Sequence, residues 1–298
     1  MSSNHQHVDE VVDWVTVNNY QFYTHLYKPA VQPPKATLTI VHGLGEHVDR
    51  YADLARHFAC AGIQVLGFDQ RGFGKTGKRN NDLGDNSGIA TVATDIAAMN
   101  RLVSVDGIRH FLLGHSMGGL NVLNFCSFHN NDGHVAAVIA QSPALQPAKA
   151  LMLAPEAIET FRSGDFDRSV IRKTNIKTEY LTDNQKELAR LATDADMIDF
   201  CTVGTMADVS NFGRRVIEHA PKFEVPVFIA HGDGDLAADA QGSKAFFAHL
   251  PEALDKRIKI YEDCPFHEIQ FQEDIAPELF ELYTQWILAH ADCSGAVR

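Results

Sequence analysis

Short apolar runs alternate along this chain with segments whose apolar positions recur every three or four residues. Near the start, VVDWVTV from Val11 and YQFYTHLY flank Asn18-Asn19. Asparagine tolerates the backbone of a tight turn, so the pair predicts a β-hairpin. A Pro-bearing break from Lys28 to Pro34 precedes ATLTIVH, Ala36 to His42, which ends in glycines. Similar runs begin at Ile63 (IQVLGFD), His110 (HFLLGH), His134 (HVAAVIA), Val225 (VPVFIAHG) and Arg257 (RIKIYE). Short apolar strands that close on Gly, Asp or His suit a parallel sheet covered on both faces.

Helices are predicted between them. Ile89, Val92, Ile96, Met99 and Val103 fall on one helical face, as do Tyr51, Leu54 and Phe58, with Gly62 as a stop. Leu279, Leu282, Tyr283 and Trp286 mark another amphipathic segment near the end. From Pro143 to Lys222 the alternation lapses: no strand pattern stands out, and helical stretches are broken by charged turns such as SGDFDRS and LTDNQ. The expected organisation is an α/β core over residues 1–142 and 223–298, interrupted by a helical cap over 143–222.

Composition narrows the functions open to such a fold. The 298 residues are 45% hydrophobic, enough for a sizeable core and too many for a disordered chain. Asp and Glu outnumber Lys and Arg by 38 to 26, a net charge of −12 that argues against general nucleic-acid binding. The five cysteines form no CxxC pair, which disfavours a disulfide framework or zinc site and suits a reducing compartment. The polar N-terminus lacks the features of a signal peptide, and no apolar run reaches bilayer-spanning length. A soluble cytoplasmic protein is expected, with His5 and His7 in a disordered tail.

Chemistry concentrates at Gly114-His115-Ser116-Met117-Gly118, a G-x-S-x-G between the apolar run FLLGH and the helix-competent LNVLNF. A sharp strand-to-helix turn would lift the Ser116 hydroxyl clear of the backbone and set free helix N–H groups beside it. A serine hydroxyl needs a base, and the base an orienting acid; on this architecture they follow in the order Ser, acid, His. Of the later histidines, His219 precedes the returning strand, His231 ends it ahead of the acids, His249 lies inside a helical run and His290 ends the last helix. His267, on a loop after RIKIYE, has the setting of a base. Asp233, Asp235 and Asp239 compete for the acid; Asp235 is favoured because it clears the Gly232-Asp233-Gly234 turn. The loop His42-Gly43-Leu44-Gly45 can aim the Leu44 N–H at a substrate carbonyl oxygen, with the Met117 N–H as second donor. His42 itself reads as structural.

The segments VHGLGEHVDRY, FDQRGFGKT, GHSMGG and HGDGD, with the late His267, resemble the monoacylglycerol lipase family of α/β-hydrolases over nearly the whole chain. The resemblance implies an α/β-hydrolase fold: a mostly parallel eight-stranded sheet with helices on both faces and a helical cap insertion. It implies Ser116 as nucleophile, Asp235 as acid, His267 as base, and Leu44 and Met117 as oxyanion hole. Glu46 and Arg50 would lie at the alcohol end, touching substrate or closing the loop as an ion pair, and His115 would join them. The chain departs from the family at Gln70 and Phe73, where histidines are common. It also reads Asp194-Ala195-Asp196 in place of a D-P-L segment, and has Leu191 where many relatives carry tyrosine.

The reaction so implied is hydrolysis of a monoacylglycerol or similar lipid ester to glycerol and fatty acid, without metal or organic cofactor. Apolar cap segments such as ALMLAPEAI, Ala150 to Ile158, could line an acyl tunnel, build the cap's own core, or make peripheral contact with a membrane or lipid droplet. A carboxylesterase or lysophospholipase would share the triad. A non-catalytic ligand-binding protein on the same scaffold is the remaining alternative. An Asp-nucleophile hydrolase is excluded by Ser116.

Overall fold

The computed structural model describes residues 8–292. His5, His7 and Cys293 therefore lie outside the described residues. Through the first half run β1 (Asp9–Val17), β2 (Tyr20–Lys28), β3 (Ala36–Val41), α1 (Ala52–Cys60), β4 (Ile63–Phe68), α2 (Gly74–Asn80), α3 (Ile89–Val103), β5 (His110–His115), α4 (Met117–Phe128) and β6 (Val135–Gln141). An insertion then holds α5 (Pro155–Ser163), β7 (Ile171–Lys173), α6 (Thr178–Leu181), α7 (Gln185–Leu191), β8 (Phe200–Thr202) and α8 (Val203–His219). The chain returns with β9 (Val227–Gly232), α9 (Ala240–His249), β10 (Lys256–Tyr261) and α10 (Ala276–Ala291).

Eight strands form one sheet in the order β1-β2-β4-β3-β5-β6-β9-β10. β2 pairs antiparallel with both β1 and β4, and the remaining pairs are parallel, so β2 alone runs against the others. The hairpin between β1 and β2 turns at Asn18 and Asn19, both at positive φ (50° and 62°), the conformation that its sequence favours.

Side-chain alternation sorts the strands between two cores. Leu38 and Ile40 of β3, Phe111 and Leu113 of β5 and Phe228 of β9 face α1 and α10, meeting Leu54, Phe58, Tyr283 and Trp286. Leu112, Val138, Val227 and Ile229 face the other way, against Ile96, Met99, Leu120 and Phe246 of α3, α4 and α9. A sheet buried on both sides is what the near-continuous apolar runs require. The last helix of the insertion joins the second core through Val216, so its C-terminal half packs as part of the α/β body.

The expectation of an insertion without strands is corrected. β7 and β8 pair antiparallel, with Arg172 opposite Cys201, as a two-stranded ribbon. Each is three residues long, too short for a period-two pattern to show, and β7 is exposed throughout. No disulfide joins the described cysteines. No helix among the described residues is long and apolar enough to cross a membrane.

β3 lies between β4 and β5, so successive crossovers leave it in opposite directions and open a crevice at the C-terminal edge of the sheet. Val41 pairs with Gly114, which sets the Gly43–Gly45 loop beside Ser116.

At the opposite edge His110 is buried, with Nδ1 2.9 Å from Thr37 Oγ1 and its ring stacked on His134. Burial, with the nearby His134, lowers its pKa from 6.5 to about 3. The unfolded imidazole therefore takes a proton below 6.5 while the folded one stays neutral, so stability falls as pH drops from 6.5 towards 3. Urea midpoints measured at pH 7 and pH 5 should fall for the wild type, and fall less for His110→Gln.

Candidate active site

The turn between β5 and α4 holds Ser116 at φ 55° and ψ −119°, a backbone few non-glycine residues adopt. Two glycines make that turn possible. A Cβ at Gly114 would collide with the Gly118 carbonyl oxygen, and one at Gly118 with the Val41 carbonyl oxygen. The Ser116 N–H donates to Gln141 O at 3.0 Å, and its carbonyl accepts from Leu120 and Ala144, both at 3.0 Å. The strained residue is thus held from the sheet, the helix and the segment after β6.

Asp235 follows β9 and His267 follows β10. His267 Nδ1 lies 2.7 Å from Asp235 Oδ2, and both side chains are buried. Asp235 Oδ1 accepts from the N–H groups of Ala237 (2.8 Å) and Ala238 (3.0 Å). Burial alone would raise this carboxyl's pKa; the charge of His267 and hydrogen bonds from His231 and His267 outweigh it and hold Asp235 well below the ordinary 3.8. The other two acids are engaged elsewhere. Asp239 caps α9 by accepting from Gln241 N, and Asp233 accepts from Cys264 N at 3.2 Å in the turn.

Ser116 and His267 line one cleft of about 360 Å³ together with Leu44, Glu46, Arg50 and His115. Ile176, Leu181, Leu191, Met197, Ile198 and Phe200 of the insertion form its apolar side, with Asp194 and Asp199 beside them. Leu44 sits half-buried in the loop after β3, and Met117 is the first residue of α4, where backbone N–H groups lack partners within the helix.

Glu46 and Arg50 sit in a buried charge cluster. Glu46 Oε1 accepts from Gly43 N (2.5 Å) and Tyr51 Oη (2.7 Å) and lies 3.0 Å from His115 Nδ1. Its other oxygen takes Arg50 Nη1 at 2.8 Å. Arg50, 4% exposed at its side chain, also grips both oxygens of Glu268 (2.6 and 2.7 Å) and Glu187 Oε1 at 2.8 Å. Burial works against ionisation of Glu46, but the His115 hydrogen bond and the Arg50 charge keep its pKa well below 4.5. The His115 ring stands 4.8 Å from the His267 ring, and its Nε2 is 3.4 Å from the His267 carbonyl oxygen.

Sequence reasoning missed three members of this surround: Glu268, Glu187 and His231, whose Nε2 reaches Asp235 Oδ2 at 3.1 Å. Adjacency to His267 was the available signal for Glu268. Glu187 had none, lying 137 residues from Arg50. The departures find structural uses. Gln70 donates from its side chain to His42 O (2.5 Å) and accepts from Asn121 (2.9 Å). The His42 ring hydrogen-bonds Gly43 O and Gln70 N, both at 2.8 Å, and Phe73 packs edge-on against it. Asp194 pairs with His47 at 2.8 Å and Asp196 with Lys78 at 2.7 Å, docking the insertion onto the core.

An eight-stranded, mostly parallel sheet, helices on both faces and a serine on a strained strand-to-helix turn define an α/β-hydrolase. Residues 32–274 match the family described as serine aminopeptidase, S33. The chain belongs to this family of serine hydrolases, and its relatives include monoglyceride lipases. A putative monoglyceride lipase of Schizosaccharomyces pombe is 28% identical over 292 residues, covering 93% of this chain and 73% of that one. An uncharacterised abhydrolase domain-containing protein of Dictyostelium discoideum is also 28% identical, over 88% of this chain; the match spans 27% of that longer relative. Among solved structures, a soluble variant of monoglyceride lipase from Saccharomyces cerevisiae, in complex with a substrate analog, superposes with a TM-score of 0.84. It is 22% identical and covers 96% of this chain and 97% of that one.

Removing the Arg50 guanidinium leaves Glu46, Glu268 and Glu187 without their shared partner, Glu187 keeping only the exposed Arg190 at 3.4 Å. Arg50→Met should cost about 3–5 kcal/mol of unfolding free energy, read by urea denaturation. Lys186→Met, at an exposed ion pair, should change it by less than about 1 kcal/mol.

Proposed function

We propose that this protein hydrolyses the ester bond of monoacylglycerols to glycerol and free fatty acid through an acyl-enzyme. The observation that carries this reading is the hydrogen-bonded His267–Asp235 pair sharing an apolar-sided cleft with the strained Ser116. The relationship to monoglyceride lipases supports the choice of substrate within ester hydrolysis.

In this reading His267, oriented through Nδ1 by Asp235, takes the Ser116 proton at Nε2 as the hydroxyl attacks the ester carbonyl. The N–H groups of Leu44 and Met117 receive the developing oxyanion. His267 then protonates the departing glycerol oxygen. A water molecule repeats the sequence on the acyl-enzyme and releases the fatty acid.

The acyl chain lies against Ile176, Leu181, Met197, Ile198 and Phe200, and Leu191 stands where a tyrosine would otherwise offer a hydroxyl. The glycerol end meets Glu46, Arg50 and His115. Because their polar atoms already satisfy one another, they act first by fixing the shape and charge of that end. Exposed Met152 (62%) and Ile171 (55%) on the insertion supply apolar contact with a lipid surface, and a net charge of −12 makes that contact hydrophobic rather than electrostatic.

The test is fatty-acid release from monoacylglycerols of graded chain length, run beside short soluble esters. Long-chain monoacylglycerol should give the highest kcat/KM, and Ser116→Ala should lower turnover by a factor on the order of 10⁶. Activity confined to short esters would reject the lipid substrate while leaving the triad in place. Undiminished hydrolysis by Ser116→Ala would reject the site.

A further inference from the structure

His231 has no part in the mechanism above, yet it touches the acid. It lies near the end of β9 and is fully buried. Its Nε2 is 3.1 Å from Asp235 Oδ2 and 3.1 Å from Ala238 O. A ring nitrogen that faces two acceptors must carry a hydrogen, since a lone pair there would meet only other lone pairs. The opposite nitrogen, Nδ1, lies 2.8 Å from the buried hydroxyl of Ser243 on α9, which can rotate to donate to it. The two acceptors therefore set the tautomer, and Ser243, donating to Nδ1, holds the ring so that Nε2–H points at the carboxylate. Asp235 Oδ2 receives two imidazole N–H groups, from His231 and His267, while Oδ1 receives two backbone N–H groups.

We propose that His231, oriented by Ser243, is a positioning residue for the triad, pinning Asp235 Oδ2 in line with His267 Nδ1 and drawing off part of the carboxylate's charge. This rests on the triad reading above. With His231 gone, the carboxylate would be less restrained about its own axis and would present a denser charge to His267. Catalysis would lose alignment, and the carboxylate would attract a positive charge on the His267 ring more strongly. The other titratable groups around the pair are the Cys264 thiol and Asp233 on the adjoining loops, the His115 ring 4.8 Å from His267, and Glu268, which is tied to Arg50.

The full-length enzyme is assayed with a short soluble ester across pH, comparing wild type, His231→Leu, His231→Gln, Ser243→Ala and Ser116→Ala. His231→Leu should lower kcat about 10- to 100-fold with little change in KM, the loss of one hydrogen bond to a charged group. The acid limb of its kcat/KM profile should rise by about half a pH unit. His231→Gln, whose amide nitrogen can take the place of Nε2, should recover most of the rate and the position of the limb. Ser243→Ala should shift both in the same direction by less, and it carries the test if His231→Leu does not fold. Folded His231→Leu or Ser243→Ala with wild-type rates and an unmoved limb would overturn the inference, as would equal losses in the Leu and Gln variants without a shift. Persisting activity in Ser116→Ala would instead overturn the triad reading and leave that separate failure visible.

Discussion

The crossing of α4 over the end of β3 is the contact on which the site depends. Gly118 packs against the Val41 carbonyl so closely that no side chain fits, and that approach forces the chain through the strained backbone of Ser116. Two consequences follow from one packing distance. The serine stands at the turn between sheet and helix and enters the cleft that Gly43 and Leu44 of the loop after β3 also line. The local strain is offset by hydrogen bonds to Ser116 from three directions and by the two large apolar cores around the sheet.

A second constraint is electrostatic. Arg50 is shared by three carboxylates that come from separate parts of the chain: Glu46 from the loop after β3, Glu268 from the histidine loop and Glu187 from α7 of the insertion. Buried ions of this kind add little net stability, because desolvation consumes most of the attraction. What they do is fix relative position, since each member left alone would be an unpaired charge out of water. The cluster ties two loops and a helix of the insertion to one point beside His267.

Much of the fold was legible because it rests on local rules. Asn18-Asn19 marked the hairpin, three-and-four spacing marked α1, α3 and α10, and continuous apolar runs marked strands buried on both faces. Of three competing aspartates the sequence favoured Asp235, which clears the Gly-Asp-Gly turn, and it is Asp235 that hydrogen-bonds His267, whereas Asp233 accepts from Cys264 N within that turn. Legibility ended where partners are remote or elements short. β7 and β8 are too brief for any period to register, and nothing in the glycine-bearing GKTGKRN announced α2. Arg50 meets Glu268 across 218 residues, a pairing no spacing rule can reach. His231 was set aside as a base by its place in the chain order, and that same place, four residues before Asp235, puts its ring against the carboxylate.

The seam between the insertion and the histidine loop has an evolutionary consequence. His267 N donates to Tyr180 O and Glu268 N to Leu181 O, both at 2.9 Å, while Asn184 and Thr182 bond Phe271 and Gln272 just beyond. The stretch around α6 and α7 is therefore bonded into the same backbone that presents the imidazole. α5, which buries none of its residues, has no such tie. The insertion is thus not one transplantable part. Exchange with a relative's sequence around α5 has to keep only its seat on α8, where Asn211 donates to Phe161 O, whereas replacing residues 178–187 means rewriting the 267–272 loop and Arg50 with them.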